Sequence, residues 1–320
     1  MSIMNKKKLS VIMTSYNTKE YISETIESCL NQRLDYPYEI IIGDDGSDDG
    51  SIEVIRQYAD RYPDIIRFFV MERDIHGEFI PSIRVSDLLK KGFEFATGEY
   101  LAVIACDDLY SDMNKFQKQI DFLENNPEYK SCYTDYEKFY PDGEREYIET
   151  NDIGNRAVLW GTEYIHIACF VFRRDVLSYL LPNFCDDTGL MYSILKAGKT
   201  KHIKLSSFAY RQREKSIMHQ ADMIELNVLE ILLYEDIVSG NNASISDISR
   251  FAYPMSFLYK NRHLLSQQKY RKYINFSDEG KIGFLSELNN FQKCSLIYRI
   301  RIVARIFEAR IIRRMLIIKK

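Results

Sequence analysis

The first half of the chain alternates short, uniformly apolar runs with longer stretches whose apolar residues recur every three or four positions. The short runs read as buried strands and the longer ones as amphipathic helices. Leu9–Thr14 predicts a strand, and a helix follows it, with Asn17 and Glu20 in capping-box spacing. The apolar side of that helix runs Tyr21, Ile22, Ile26, Cys29, Leu30. The same reasoning predicts strands over Tyr38–Gly43, Ile65–Val70 and Tyr100–Cys106, and helices over Ile52–Tyr62 and Ser82–Ala96. Ile- and Val-rich strands separated by helices imply a parallel sheet covered on both faces. Ligands of such sheets lie beyond the carboxyl ends of the strands. Polar clusters fall at those ends: Thr14-Ser15-Tyr16-Asn17, Asp44-Asp45-Gly46-Ser47 and Asp107-Asp108.

Further on, Met113–Leu123 and Asp186–Ala197 predict helices, and Ser131–Tyr136, Tyr164–Phe172 and Thr200–Tyr210 predict strands, with a turn at Pro141-Asp142-Gly143. From about Ile217 helical spacing takes over, through Asp222–Val238, Ser246–Leu265 and Phe291–Ile318. The expected organisation is a domain over 1–215, in two halves (1–110 and 111–215), and a helical region over 216–320.

With 46% apolar and 28% charged residues in 320, the chain can build a large core, which excludes a disordered or fibrous protein. Charge is uneven. Residues 1–215 carry 27 Lys/Arg and 36 Asp/Glu, net −9, and residues 216–320 carry 16 and 10, net +6. An acidic front argues against a nucleic-acid partner. The stretch Lys293–Lys320 has nine Lys/Arg and one acid, Glu308, around an apolar stripe of Leu296, Ile300, Val303, Phe307, Ile311 and Met315. That pattern suits a helix lying on an anionic membrane surface, or a helix packed on the core with solvated arginines. Six scattered cysteines without a CxxC fit reduced thiols rather than a zinc site or disulfide scaffold. No signal peptide and no membrane-spanning run is expected, which points to a cytoplasmic protein.

The chemistry rests on carboxylates. Asp45 at a strand end can accept a hydrogen bond from a base N–H, and Gly46 allows a tight turn beside it. The adjacent Asp107 and Asp108 suit a hard divalent cation bridging to a diphosphate. Asp186-Asp187 opens a helix about 80 residues later. All three pairs are also ordinary turn and helix-cap residues. His166 in an apolar run reads as core or as an acceptor contact, and Trp160 as a stacking or packing residue.

Four segments in order, LSVIMTSYN (Leu9–Asn17), EIIIGDDGSDDGS (Glu39–Ser51), GEYLAVIACDD (Gly98–Asp108) and CDDTGLMYSILKAG (Cys185–Gly198), closely resemble the inverting family 2 glycosyltransferases of bacterial cell-surface polysaccharide synthesis. The resemblance covers roughly residues 8–215 and implies that 1–110 is a nucleotide-binding half and 111–215 an acceptor half. It implies an α/β, GT-A nucleotide-sugar-binding fold, a central mostly parallel sheet flanked by helices, with a C-terminal helical extension. It implies transfer of a sugar from a nucleotide diphosphate donor, expected to be a UDP-sugar, to a hydroxyl of a glycan or lipid-linked acceptor, with Mn²⁺ or Mg²⁺.

By the same resemblance Thr14, Tyr16, Asp45 and Asp44 meet base and ribose, Arg84 meets the donor, and Asp107 holds the metal beside Asp108. Arg211 and Arg213 meet the diphosphate, Asp187 is the general base, and Asp186 orients it or the acceptor. The sequence departs from the family at Ala105, where the metal motif's first Asp usually contacts ribose, and at Arg213, where the family often has a His. A homo-oligomer is possible. A non-catalytic sugar-nucleotide binder, favoured by Ala105, and a nucleotidyltransferase are the rival readings. The latter lacks a Gly-rich phosphate loop after the first strand, and the missing GxGxxG weighs against a dehydrogenase.

Overall fold

The computed structural model describes residues 7–73, 80–150, 165–181 and 187–213, with 223, 225–230 and 233. The chain divides into two compact units, Met1–Val158 with Tyr164–Gln220, and Leu159–Glu163 with Ala221–Lys320. Of the second unit, residues 225–230 are helical and Val228, Leu229 and Leu233 are buried. The basic stretch 293–320, Trp160 and Asp186 lie outside the described residues. Among those described, no helix is long and apolar enough to cross a membrane.

The first unit is built on a nine-stranded sheet. Its first half is parallel: β3 (Ile66–Val70), β2 (Tyr38–Asp44), β1 (Leu9–Ser15) and β4 (Tyr100–Ala105) lie side by side in that order. Every residue of β1 is buried, as the apolar run requires of a central strand between two helical layers. The covering helices are α1 (Ile22–Leu30), α2 (Ser51–Arg61) and α3 (Pro81–Phe95). Helix α3 approaches β1 closely at Gly92, where an added Cβ would stand 2.6 Å from Ile12.

The second half is mixed. Strand β8 (Val171–Arg173) joins β4 to β6 (Tyr129–Phe139) by antiparallel pairs. Strand β9 (Lys199–Arg211) runs parallel to β6, and the short β5 (Leu109–Tyr110) closes the path. Strand β7 (Arg145–Ile148) forms a hairpin on β6. Helices α4 (Lys115–Asn125) and α5 (Asp187–Ala197) complete the unit.

Two expectations are corrected. Asn17 does not cap α1: it adopts φ 49° and its amide exchanges bonds with Asp48, while the helix begins with Tyr21 and Ile22 donating to the Thr18 carbonyl. The apolar run over Tyr164–Phe172 is not one strand in its described part. It turns through a 3-10 helix, Ile167–Cys169, in which Cys169 N–H donates to the His166 carbonyl (2.9 Å) and Phe170 N–H to the Ile167 carbonyl (3.0 Å), with His166 Nδ1 accepting from the Ala168 N–H at 3.3 Å, and only then enters β8.

Several buried polar groups are satisfied in networks. Glu39 accepts from Ser10 Oγ (2.6 Å), Thr97 N and Oγ1 (2.7 Å each) and Arg67 (2.6 Å), joining β1, β2, β3 and the turn into β4. Burial alone would raise its pKa; these donors outweigh burial and hold it low. Lys115 in α4 is fully buried and donates to Gln119 (2.6 Å) and the Cys169 carbonyl (3.1 Å), and burial draws its pKa down to about 8. The four cysteines among the described residues are buried and free.

Candidate active site

Strands β1, β2 and β4 end together. Thr14 is in register with Gly43 on one side and Ala105 on the other, and Ser15 with Asp44. The parallel hydrogen bonding continues one residue beyond: Asp45 N–H donates to Ser15 O and Cys106 N–H to Thr14 O, both at 2.9 Å. Whatever follows these strands is therefore delivered to one edge.

Asp44 and Asp45 are adjacent but do different things. Asp44 is fully buried and accepts from Ser15 Oγ (2.8 Å), Ser47 N (2.7 Å) and Ser47 Oγ (2.7 Å). It fastens the turn that presents Asp45 to the cleft, in keeping with a residue that supports its neighbour or caps the turn. Asp45 faces the cleft. Its Oδ2 accepts from Arg73 at 2.8 Å and its Oδ1 from Arg84 Nε at 2.7 Å. Arg84 also donates to the Glu72 carbonyl at 2.9 Å, so it reaches the site through Asp45. Gly46 has φ +72°, and a Cβ there would come within 3.1 Å of Arg73 Cβ. The glycine thus supplies both the turn and the room for the segment after β3.

Tyr16 is 40% exposed at the cleft wall. The Arg73 guanidinium lies 3.7 Å from its ring centroid. Arg73 was not among the residues picked out from sequence: a lone arginine after a strand has no periodic or motif signal.

Beyond β4, the chain turns through Asp107 and Asp108. Thr25 Oγ1 anchors the turn by donating to the Asp108 carbonyl at 2.7 Å. The Asp108 side chain is almost fully buried and accepts from the Arg211 N–H at 2.9 Å. Burial, then the neighbouring Asp107 charge, push its pKa well up, against the opposing pull of Arg211 and Arg213. Asp107 is more open and forms an ion pair with Arg213. Arg211 donates to the Asp107 carbonyl at 2.9 Å and to Glu24 at 2.5 Å, and lies between the rings of Tyr21 (4.8 Å) and Phe139 (5.0 Å).

Asp187 opens α5 and lines the same cleft. Tyr210 reports its proximity: burial first, then the charges of Asp108, Asp107 and Asp187, push the phenol up to about 12. His166 stands on the wall among Phe208 (4.5 Å) and Tyr210 (4.8 Å), and burial brings its pKa down to about 3. It is therefore a neutral imidazole near neutral pH.

These residues surround one cleft of about 1500 Å³, which takes in Thr14, Tyr16, Asp45, Asp107, Asp108, Asp187, Arg211 and Arg213. Residues from five separate stretches of sequence converge on it. Among the described residues no cluster of three His, Cys, Asp or Glu side chains forms a ready metal cage.

A half-parallel sheet with acids beyond its carboxyl ends is the GT-A architecture of glycosyltransferases. The structure of S. aureus TarS residues 1–349 in complex with UDP-GlcNAc shares this fold, with a TM-score of 0.58 over 83% of this chain and 79% of that one, at 15% identity. The profile of glycosyl transferase family 2 matches residues 10–181, just over half of the 320 residues. The chain belongs to that family. Among its relatives, the uncharacterised protein Rv1520 of Mycobacterium tuberculosis is 35% identical over 225 residues, 67% of this chain and 61% of that protein. The chain thus spans about 61% of the length of that curated relative. The poly(ribitol-phosphate) beta-glucosyltransferase of Bacillus spizizenii is 33% identical over 102 residues, 32% of this chain and 15% of that enzyme.

Proposed function

We propose that this glycosyltransferase takes its sugar from a uridine diphosphate donor and passes it, with inversion, to a hydroxyl of a cell-surface glycan or its lipid-linked precursor. The observation that carries the reading is that Asp45, Asp107 and Asp187 line one cleft. The buried Asp45 carboxylate is an acceptor for a base N–H, and uracil N3–H is such a donor. Thr14 and the exposed Tyr16 ring stand beside it for base and ribose. Arg211 and Arg213 meet the diphosphate, for which guanidinium is a good partner.

The acids fit a divalent cation. Asp107 faces the cleft, and the Asp108 carboxyl, raised first by burial and then by the Asp107 charge beside it, adds a second acid at the same turn. Asp107 would hold Mn²⁺ or Mg²⁺ beside Asp108, oxygen ligands that such ions accept. When bound, the ion neutralises charge developing on the departing diphosphate. Asp187 takes the proton from the acceptor hydroxyl as its oxygen attacks C1 on the face opposite the nucleotide. It stands in the first turn of α5. Asp186 precedes it and orients the acceptor or the base.

The acceptor reading draws on the Bacillus spizizenii relative, a poly(ribitol-phosphate) beta-glucosyltransferase. The basic stretch 293–320 is read as meeting anionic lipid on the cytoplasmic side, where such an acceptor is assembled. The deciding experiment is nucleotide release from a panel of sugar nucleotides, with and without Mn²⁺, beside Asp107→Ala. Metal-dependent release of UDP from one donor, lost in the variant, supports the reading and names the sugar. Tight binding without release, whatever acceptor is supplied, favours a non-catalytic binder.

A further inference from the structure

We propose that Arg73 governs nucleotide entry: its guanidinium occupies both the Tyr16 ring face and the Asp45 carboxylate that an incoming base needs, so the base must displace it. The inference rests on the reading that Tyr16 and Asp45 take the base.

The geometry is direct. Arg73 sits 3.7 Å from the Tyr16 ring centroid and donates to Asp45 Oδ2 at 2.8 Å. A guanidinium is planar and stacks on aromatic faces; so is a nucleobase, and so does it. Two planar groups cannot share one face of one ring at that separation. Nor is Arg73 a solvated surface arginine, since its side chain is only 15% exposed. Its backbone is drawn to the site by the Met71 N–H, which donates to the Asp44 carbonyl at 2.8 Å, and by the close approach at Gly46.

Arg84 has a different place in the same cluster. It holds Asp45 Oδ1 and is tied by a second bond to the Glu72 carbonyl. When Arg73 swings away, Asp45 keeps Arg84 as counter-ion and frees Oδ2 for a base N–H. Arg73 is thus the competitor and Arg84 the resident partner.

The test is calorimetric titration of uridine diphosphate into the full chain at fixed ionic strength, for wild type, Arg73→Ala and Arg73→Lys. Removing the stacked cation should tighten binding about 2- to 30-fold, the range of a cation–π contact. Lysine, which keeps the charge without the planar stack, should lie between. In a Tyr16→Ala background the gain from Arg73→Ala should shrink towards the part contributed by Asp45 alone. General damage to the fold would weaken binding, so a gain in affinity cannot come from it. Wild-type binding with equal or weaker binding by both Arg73 variants would overturn the proposal and leave the nucleotide reading standing. Absence of binding by all the proteins at millimolar nucleotide would overturn both.

Discussion

Arg213 forms an ion pair with Asp107, 106 residues away in sequence, and so ties the residue beyond β9 to the turn after β4. A cation and a carboxylate that meet at the cleft floor are poised to divide their roles once a diphosphate arrives, the arginine turning to phosphate oxygen. Arg213→Ala should therefore lower kcat/KM for the donor by about 10- to 100-fold, equivalent to about 1.4–2.8 kcal/mol of transition-state stabilisation. Arg213→Lys should recover part of it, because charge is kept and the fork geometry lost. Steady-state nucleotide release over a donor series reads the effect, and wild-type kcat/KM in Arg213→Ala would remove Arg213 from the site.

In the function proposed above, Asp187 takes the proton of the acceptor and does not hold the donor. Its replacement by Asn keeps the shape and removes the base, so turnover should fall by about 10²- to 10⁴-fold while the nucleotide Kd stays within about twofold. Calorimetry for binding, beside single-turnover transfer for chemistry, separates the two. A parallel loss of binding would place Asp187 on the donor instead.

Asp44 predicts the opposite pattern. Its fully buried carboxylate receives three hydrogen bonds from Ser15 and Ser47, and its truncation to Ala would leave those donors unpaired. Hydrogen bonds to a buried charged acceptor contribute roughly 1.5–3 kcal/mol each and are not additive, so a loss of about 2–4 kcal/mol is expected. Urea unfolding measures it. Because the turn also presents Asp45, nucleotide affinity should fall with stability, and Asp44→Asn should retain more of both.

The parallel half of the sheet was legible because its central strands are buried and read as mostly apolar runs, β1 above all. The acids at the strand ends were legible for the same reason: strand ends are where the apolar runs stop. What could not be read depends on side chains that reach across the fold. Asn17 has the spacing of a helix cap, yet its partner is Asp48, thirty-one residues away. Arg73 looks like an ordinary charged residue until Asp45 is placed beside it. Strand β7 was overlooked because Arg145–Ile148 alternates in charge and burial on an edge, where no apolar run is needed. The 3-10 turn at Ile167–Cys169 is hidden in a run as apolar as any strand, where apolar periodicity carries no turn signal.

That histidine gives a pH prediction whose sign can be worked out. Burial lowers the folded-state pKa of His166 to about 3, whereas an unfolded histidine titrates near pH 6.5. Between those values the unfolded chain binds a proton that the folded chain does not, so stability rises with pH across the window. The contribution is complete above about pH 6.5 and is lost progressively as pH falls towards 3. From about pH 7.5 to about pH 5 the loss should be about 2 kcal/mol for this one group. His166→Asn retains an acceptor for the Ala168 N–H, which His166 Nδ1 now takes at 3.3 Å, and cannot titrate. Urea unfolding at the two pH values should therefore show a wild-type decline that exceeds the decline of the variant by that amount. Parallel declines would mean that His166 reaches solvent and takes up a proton in the folded protein, and that its wall of the cleft is open to water.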